Sequence, residues 1–195
     1  ITAVCYYNTL PFIYGIRHSG KLSGYELSLD VPSQCAHKLL NDEADIGLIP
    51  VGALPKFDAY HLVSDLCIGA DKDVKSVLLL STTEISQIKT IYLDTDSLTS
   101  VNLVRILAEK YWKINPEWKS LALLNGPLSA HEGKVLIGDK TFGLSTQFPY
   151  CYDLAGEWIK HTGLPFVFAV WISRKPLPET FINEFKAALS WGVNH

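Results

Sequence analysis

An α/β fold of two lobes with mostly parallel sheets is what this 195-residue sequence predicts. Short apolar runs alternate with helical patterns along nearly the whole chain, the spacing expected of strand–helix–strand units. Two runs, KSVLLLS and FVFAVWIS, are continuously apolar and suit buried paths through the middle of a protein. If the chain leaves along 76–81 and returns along 166–172, residues 82–165 form an inserted lobe. Residues 1–75 and 173–195 then form the other.

The elements follow in order. Residues 2–7 read as a strand and Asn8-Thr9-Leu10-Pro11 as a helix entry, since Asn or Thr caps and Pro suits a first turn. Residues 25–31 alternate as a strand, 32–41 place Cys35, Ala36, Leu39 and Leu40 on one helical face, and 46–49 form a short buried strand. Strands are expected at 62–68, 76–81 and 90–93, with a short helix over 83–88 capped by Thr83. After LDTDS, Val101, Val104, Leu107, Ala108 and Tyr111 repeat at helical spacing. Strands at 121–124 and 135–137, a helix over 152–161, a strand over 166–172 and a helix over 179–191 complete the reading.

Composition excludes several classes. Apolar residues make up 48% and charged residues 19%, the balance of a globular chain. A net charge of −3 with no Lys/Arg cluster leaves no footprint for nucleic acid or anionic lipid, so a small-molecule partner is expected. The longest uninterrupted apolar stretch, nine residues over 164–172, falls short of the roughly 20 a spanning helix needs. No basic, then apolar, then small-residue leader opens the sequence, and a soluble cytoplasmic protein is expected. Cysteines 5, 35, 67 and 151 form no C-x-x-C pair and are read as core residues in a reducing compartment. The six histidines are isolated from one another, so no metal site is expected. Nucleotide-binding and serine-hydrolase signatures are absent as well, which argues against nucleotide cofactors and serine-hydrolase chemistry.

The remaining chemistry is neutral. Thr95, Ser97, Thr99 and Ser100 crowd a helix start, where one cap would suffice. Hydroxyls added to free N–H groups at the positive end of a helix dipole make a cradle for a carboxylate. Asn8 and Ser76 lie at other strand ends or helix starts. Asp94 and Asp139 each follow an apolar strand (TIYLD and VLIGD), where open α/β sheets present ligand contacts.

Across nearly all positions the sequence resembles the chorismate dehydratases of the futalosine route to menaquinone. The matching pieces are VCYYNTLPFIYG, ADIGLIPVGAL, SDLCIGA…VKSVLLLS, LDTDSLTSVNLVRIL, LIGD and YDLAGEWIKHTGLPFVFAVW. That resemblance implies a type II periplasmic-binding-protein-like fold with a cleft between lobes. The implied reaction is elimination of water from chorismate to 3-[(1-carboxyvinyl)oxy]benzoate, a hydro-lyase step with no cofactor. It further implies that Asn8 and Ser76 are catalytic and that Ser97, Thr99 and Ser100 bind a substrate carboxylate, while Asp139 is expected to contribute to binding from its strand-end position. A monomer or homodimer is expected. Leu98 stands where relatives often carry Arg, Cys5 where Ser is common, and Tyr7 where Leu is usual. Relatives also tend to continue past Trp191 with further helix. A solute-binding protein for an aromatic or organic acid, the effector lobe of a transcriptional regulator, and the sister dihydroxynaphthoate synthase are the alternatives.

Overall fold

The structure is a computed structural model that describes residues 1–94, 97–144 and 146–195. Ten strands are described: β1 Thr2–Val4, β2 Ser28–Asp30, β3 Ile46–Pro50, β4 His61–Ala70, β5 Val77–Ser81, β6 Thr90–Leu93, β7 Glu117–Ser120, β8 Glu132–Ile137, β9 Tyr150–Asp153 and β10 Phe166–Ser173. The α-helices are α1 Leu10–His18, α2 Pro32–Leu40, α3 Leu98–Ile106, α4 Leu154–Thr162 and α5 Glu179–Val193. They form two compact units, Ile1–Ile68 with Val167–His195, and Gly69–Phe166.

In the first unit the strand order is β2-β1-β3-β10-β4. β1 runs parallel to β2 and β3, whereas β10 pairs antiparallel with β3, Val170 opposite Ile49. Every residue of β3 is buried, as expected of a strand covered on both faces. Trp171 of β10 is fully buried, with Phe12 of α1 at 6.0 Å and Phe185 of α5 at 5.1 Å, both edge-on to its ring. Helices α1 and α5 meet backbone to backbone through Gly15 and Gly192. A methyl at Gly15 would run into the Ala188 carbonyl oxygen, and one at Gly192 into that of Pro11.

The Asp30 carboxylate joins β1, β2 and α2. Its Oδ2 accepts from Thr2 Oγ1 (2.8 Å), Ser28 Oγ (2.7 Å) and Lys38 Nζ (2.7 Å). Desolvation pushes its pKa up, but the bonds from Lys38, Ser28 and Thr2 outweigh it and hold the group below the ordinary carboxylate value.

The second unit has strand order β7-β6-β8-β5-β9. β6 is parallel to β7 and β8, and β5 is antiparallel to β8 and β9. Helix α3 continues into a π-helical turn, Leu107–Trp112, extending the stripe read at Val101, Val104, Leu107 and Ala108, which are all buried. Asp153 caps α4, its Oδ1 accepting from the amides of Ala155 and Gly156 at 3.1 Å each. Gly163, in the left-handed region at φ 74°, ends the same helix.

Several expectations need correction. The sheets are mixed, because β10 and β5 run against their neighbours. Residues 76–81, read as a crossing path, lie inside the second unit, where β5 pairs with β8 and β9; it is β4 that spans the 68/69 boundary. The strand read at 121–124 is a 3-10 turn, Leu121–Leu123, held by Ser120 Oγ accepting from the Ala122 amide. The strand lies earlier, at β7. The helix expected from 152 begins only after Asp153, since 150–153 pair with β5 as β9. Residues 83–88 reduce to a 3-10 turn, Ile85–Gln87, and Thr83 spends its hydroxyl on Gln87 Oε1 (2.9 Å) instead of capping. The first strand stops at Val4 because Tyr7–Thr9 already turn into α1.

Gly15→Ala or Gly192→Ala should lower the urea-unfolding free energy by about 2–3 kcal/mol, because a backbone carbonyl cannot yield as a side chain can. Gly20→Ala, at φ +67° with open space around it, should cost only about 1 kcal/mol. For Asp30, a depressed folded pKa means stability that is present above the ordinary value of 3.8 and lost as pH falls through the folded value. Asp30→Asn should therefore lower the urea midpoint at pH 6 and flatten its fall between about pH 5 and pH 3.

Candidate functional site

The ladder register of the second unit gathers one set of strand ends. Leu93 at the end of β6 pairs with Val135 of β8, Val77 at the start of β5 with Ile137, and Leu78 with Asp153 at the end of β9. The C-terminal ends of β6, β8 and β9 and the N-terminal end of β5 thus share one edge of the sheet. Asp94, Ser97, Thr99 and Ser100 follow β6, Gly138, Asp139 and Lys140 follow β8, and Ser76 precedes β5.

At the start of α3 the Ser97 backbone is extended (φ −126°, ψ 100°), so its side chain turns back over the first turn. Ser97 Oγ accepts from the Ser100 amide at 3.3 Å and lies 3.0 Å from Ser100 Oγ. Two hydroxyls sharing one bond direct one of their two protons elsewhere. Ser97, Thr99 and Ser100 are 8%, 3% and 1% exposed, and no acidic residue occupies the first turn. Buried hydroxyls at the positive end of a helix dipole can accept a carboxylate without a buried cation. Thr95 lies outside the described residues.

Asp94, at the end of β6, is buried, and its Oδ2 receives Lys140 Nζ at 2.9 Å. The carboxylate side chain is 5% exposed and the lysine 52%, so the lysine stem reaches in from solvent. Asp139 is exposed, and its carbonyl accepts from the Phe142 amide at 3.3 Å. Half-buried Ser76 is fixed through its backbone, its carbonyl accepting from the Gly138 amide at 2.8 Å. Thr141 Oγ1 bridges the carbonyls of Lys75 (3.1 Å) and Gly138 (2.8 Å), and the Lys75 amide donates to Asp153 Oδ2 at 2.6 Å. Gly138, at φ 61°, makes the sharp turn out of β8.

In the first unit Asn8 lies in the turn Tyr7–Thr9 that opens α1. It is exposed, and its Oδ1 accepts from Thr9 Oγ1 at 3.3 Å, while Thr9 itself is fully buried. The structure therefore brings Ser97 and Ser100 into contact and ties the Ser76 backbone to the turn carrying Asp139. Sequence reasoning missed the Asp94–Lys140 pair. The strand-end position of Asp94 was legible, but its partner comes from the end of a different strand. Among the described residues no group of three or more His, Cys, Asp or Glu side chains could hold a metal ion. Among them, too, no helix is long and apolar enough to cross a membrane.

The pattern of the menaquinone biosynthesis family matches residues 1–195. The chain belongs to that family. Chorismate dehydratase of Thermus thermophilus is 27% identical to this family member over 208 residues, covering 96% of this chain and 75% of the relative. Chorismate dehydratase of Campylobacter jejuni is 28% identical over 187 residues, covering 92% and 70%. A crystal structure of an Archaeoglobus fulgidus protein superposes with a TM-score of 0.67 at 19% identity, covering 99% of this chain and 74% of that one. A Candida albicans protein described as having the periplasmic-binding-protein fold gives 0.51 at 12% identity, covering 99% and 69%. These structures establish the periplasmic-binding-protein-like fold of the family member and nothing about its chemistry.

Ser97→Ala should remove the α3 cap and cost about 1 kcal/mol in urea unfolding. Ser100→Ala, which keeps the capped amide, should cost less than half of that.

Proposed function

We propose that this protein is a chorismate dehydratase acting in the cytoplasm on a small dianion. The observation that carries the proposal is the buried, uncharged trio Ser97, Thr99 and Ser100 at the α3 N-terminus, in a chain matched along its whole length by a menaquinone biosynthesis family whose relatives include chorismate dehydratases.

The reaction breaks the C4–O and C3–H bonds of chorismate. The C–H electron pair becomes a ring double bond, and the hydroxyl leaves with the proton as water. Electrons and atoms balance without a redox partner, and the aromatic ring formed supplies the driving force. The protein is left with binding, orientation and help for the departing oxygen. In this reading the Ser97, Thr99 and Ser100 hydroxyls and the α3 amides hold a carboxylate. Asn8, through its amide, and Ser76, through its hydroxyl, orient the enolpyruvyl group or donate to the leaving oxygen. Asp139 contributes to binding. A carboxylate of the substrate itself takes the C3 proton and passes it to the departing hydroxyl, which leaves as water.

Mixing purified protein with chorismate should bleach the cyclohexadiene absorbance and yield a product lighter by one water in the mass spectrum. Tight binding of an aromatic acid without turnover would instead identify a solute-binding protein. Asn8→Ala and Ser76→Ala should each lower kcat about 100-fold, with KM changed by no more than about threefold. Unchanged kcat would remove them from the catalytic set.

A further inference from the structure

We propose that Lys140 is a positioning residue that makes the α3 hydroxyl cluster receptive to anions by cancelling the buried charge of Asp94. The inference rests on the dehydratase reading for the identity of the anion, but not for the electrostatics. Asp94 immediately follows β6, three residues before Ser97 in the sequence, and it is 4% exposed. A buried carboxylate there opposes the helix dipole that the cradle uses, and in a low dielectric it repels an incoming carboxylate strongly. Lys140 Nζ, 2.9 Å from Asp94 Oδ2, turns that charge into a neutral pair. The lysine is delivered by the turn after β8, which the parallel β6–β8 register sets beside the end of β6.

Charge cancellation acts equally on bound substrate and transition state, so its signature is in KM and not in kcat. Lys140→Gln should raise KM for chorismate about tenfold with kcat within about threefold, and weaken binding of 3-hydroxybenzoate, followed by calorimetry, by about the same factor. Lys140→Arg should restore both. The double variant Asp94→Asn with Lys140→Gln, which lacks both charges, should bind the probe within about threefold of wild type. Asp94→Asn alone should bind it at least as tightly as wild type, and this variant keeps the test open if Lys140→Gln fails to fold. A double variant as weak as Lys140→Gln, or an Asp94→Asn variant weaker than wild type, overturns the inference. Wild-type protein that leaves chorismate unchanged, yet binds 3-hydroxybenzoate with this charge dependence, overturns the dehydratase reading alone. Turnover by wild type with Lys140→Gln indistinguishable from it overturns the charge role alone. Wild-type protein with neither turnover nor probe binding overturns both.

Discussion

The ladder around β8 is the constraint on which the functional edge of the second unit depends. A parallel partner on one side and an antiparallel partner on the other bring the end of β6 and the start of β5 to the same edge, Leu93 opposite Val135 and Val77 opposite Ile137. With a shared face buried, a one-residue slip would turn every side chain to the wrong side of the sheet, so the register is strongly specified. Leu78, Leu80 and Leu136 form a buried cluster there, with Leu121, Leu144 and Phe148 packed against it. Gly133, whose added methyl would meet a Leu79 side-chain carbon at 3.1 Å, admits the close approach of β5 and β8. Packing of ordinary aliphatic residues thus decides where the polar groups stand.

Buried and half-buried carboxylates are treated consistently. Asp30 has Lys38 and two hydroxyls, Asp94 has Lys140, and Glu157 of α4 receives Trp112 Nε1 at 2.9 Å and Lys160 Nζ at 2.6 Å. Asp94 and Glu157 sit in the interior while their lysine partners reach toward solvent, which limits the desolvation cost to one ion of the pair, whereas Asp30 and Lys38 are both half-buried. Two of the pairs tie together segments distant in sequence: residues 2, 28, 30 and 38 in one case, 94 and 140 in the other. Their role in holding strand ends is as direct as their role in charge.

How far the candidate site was legible follows the same division. The hydroxyl run after β6 is visible because cap chemistry is local: Ser97 and Ser100 are three residues apart, and one turn brings them together. The strand-end position of Asp94 is visible for a similar reason. Lys140 is not, since nothing within a turn or two of it announces a partner 46 residues away. Likewise Asp153 read as part of a helix, whereas it ends a strand, caps α4 and receives the Lys75 amide.

The amino-acid sequence by itself determined the α/β class, the positions of the long elements and the chemical character of the α3 start. These rest on hydrophobic period, proline and hydroxyl placement, which act over a few residues. Tertiary structure alone decided that β5 belongs to the second unit, that 150–153 extend as β9 before α4 begins, and that Lys140 meets Asp94. Each of those outcomes depends on which strand lies beside which. Pairing is a competition among segments far apart in the chain, and no local pattern encodes its result.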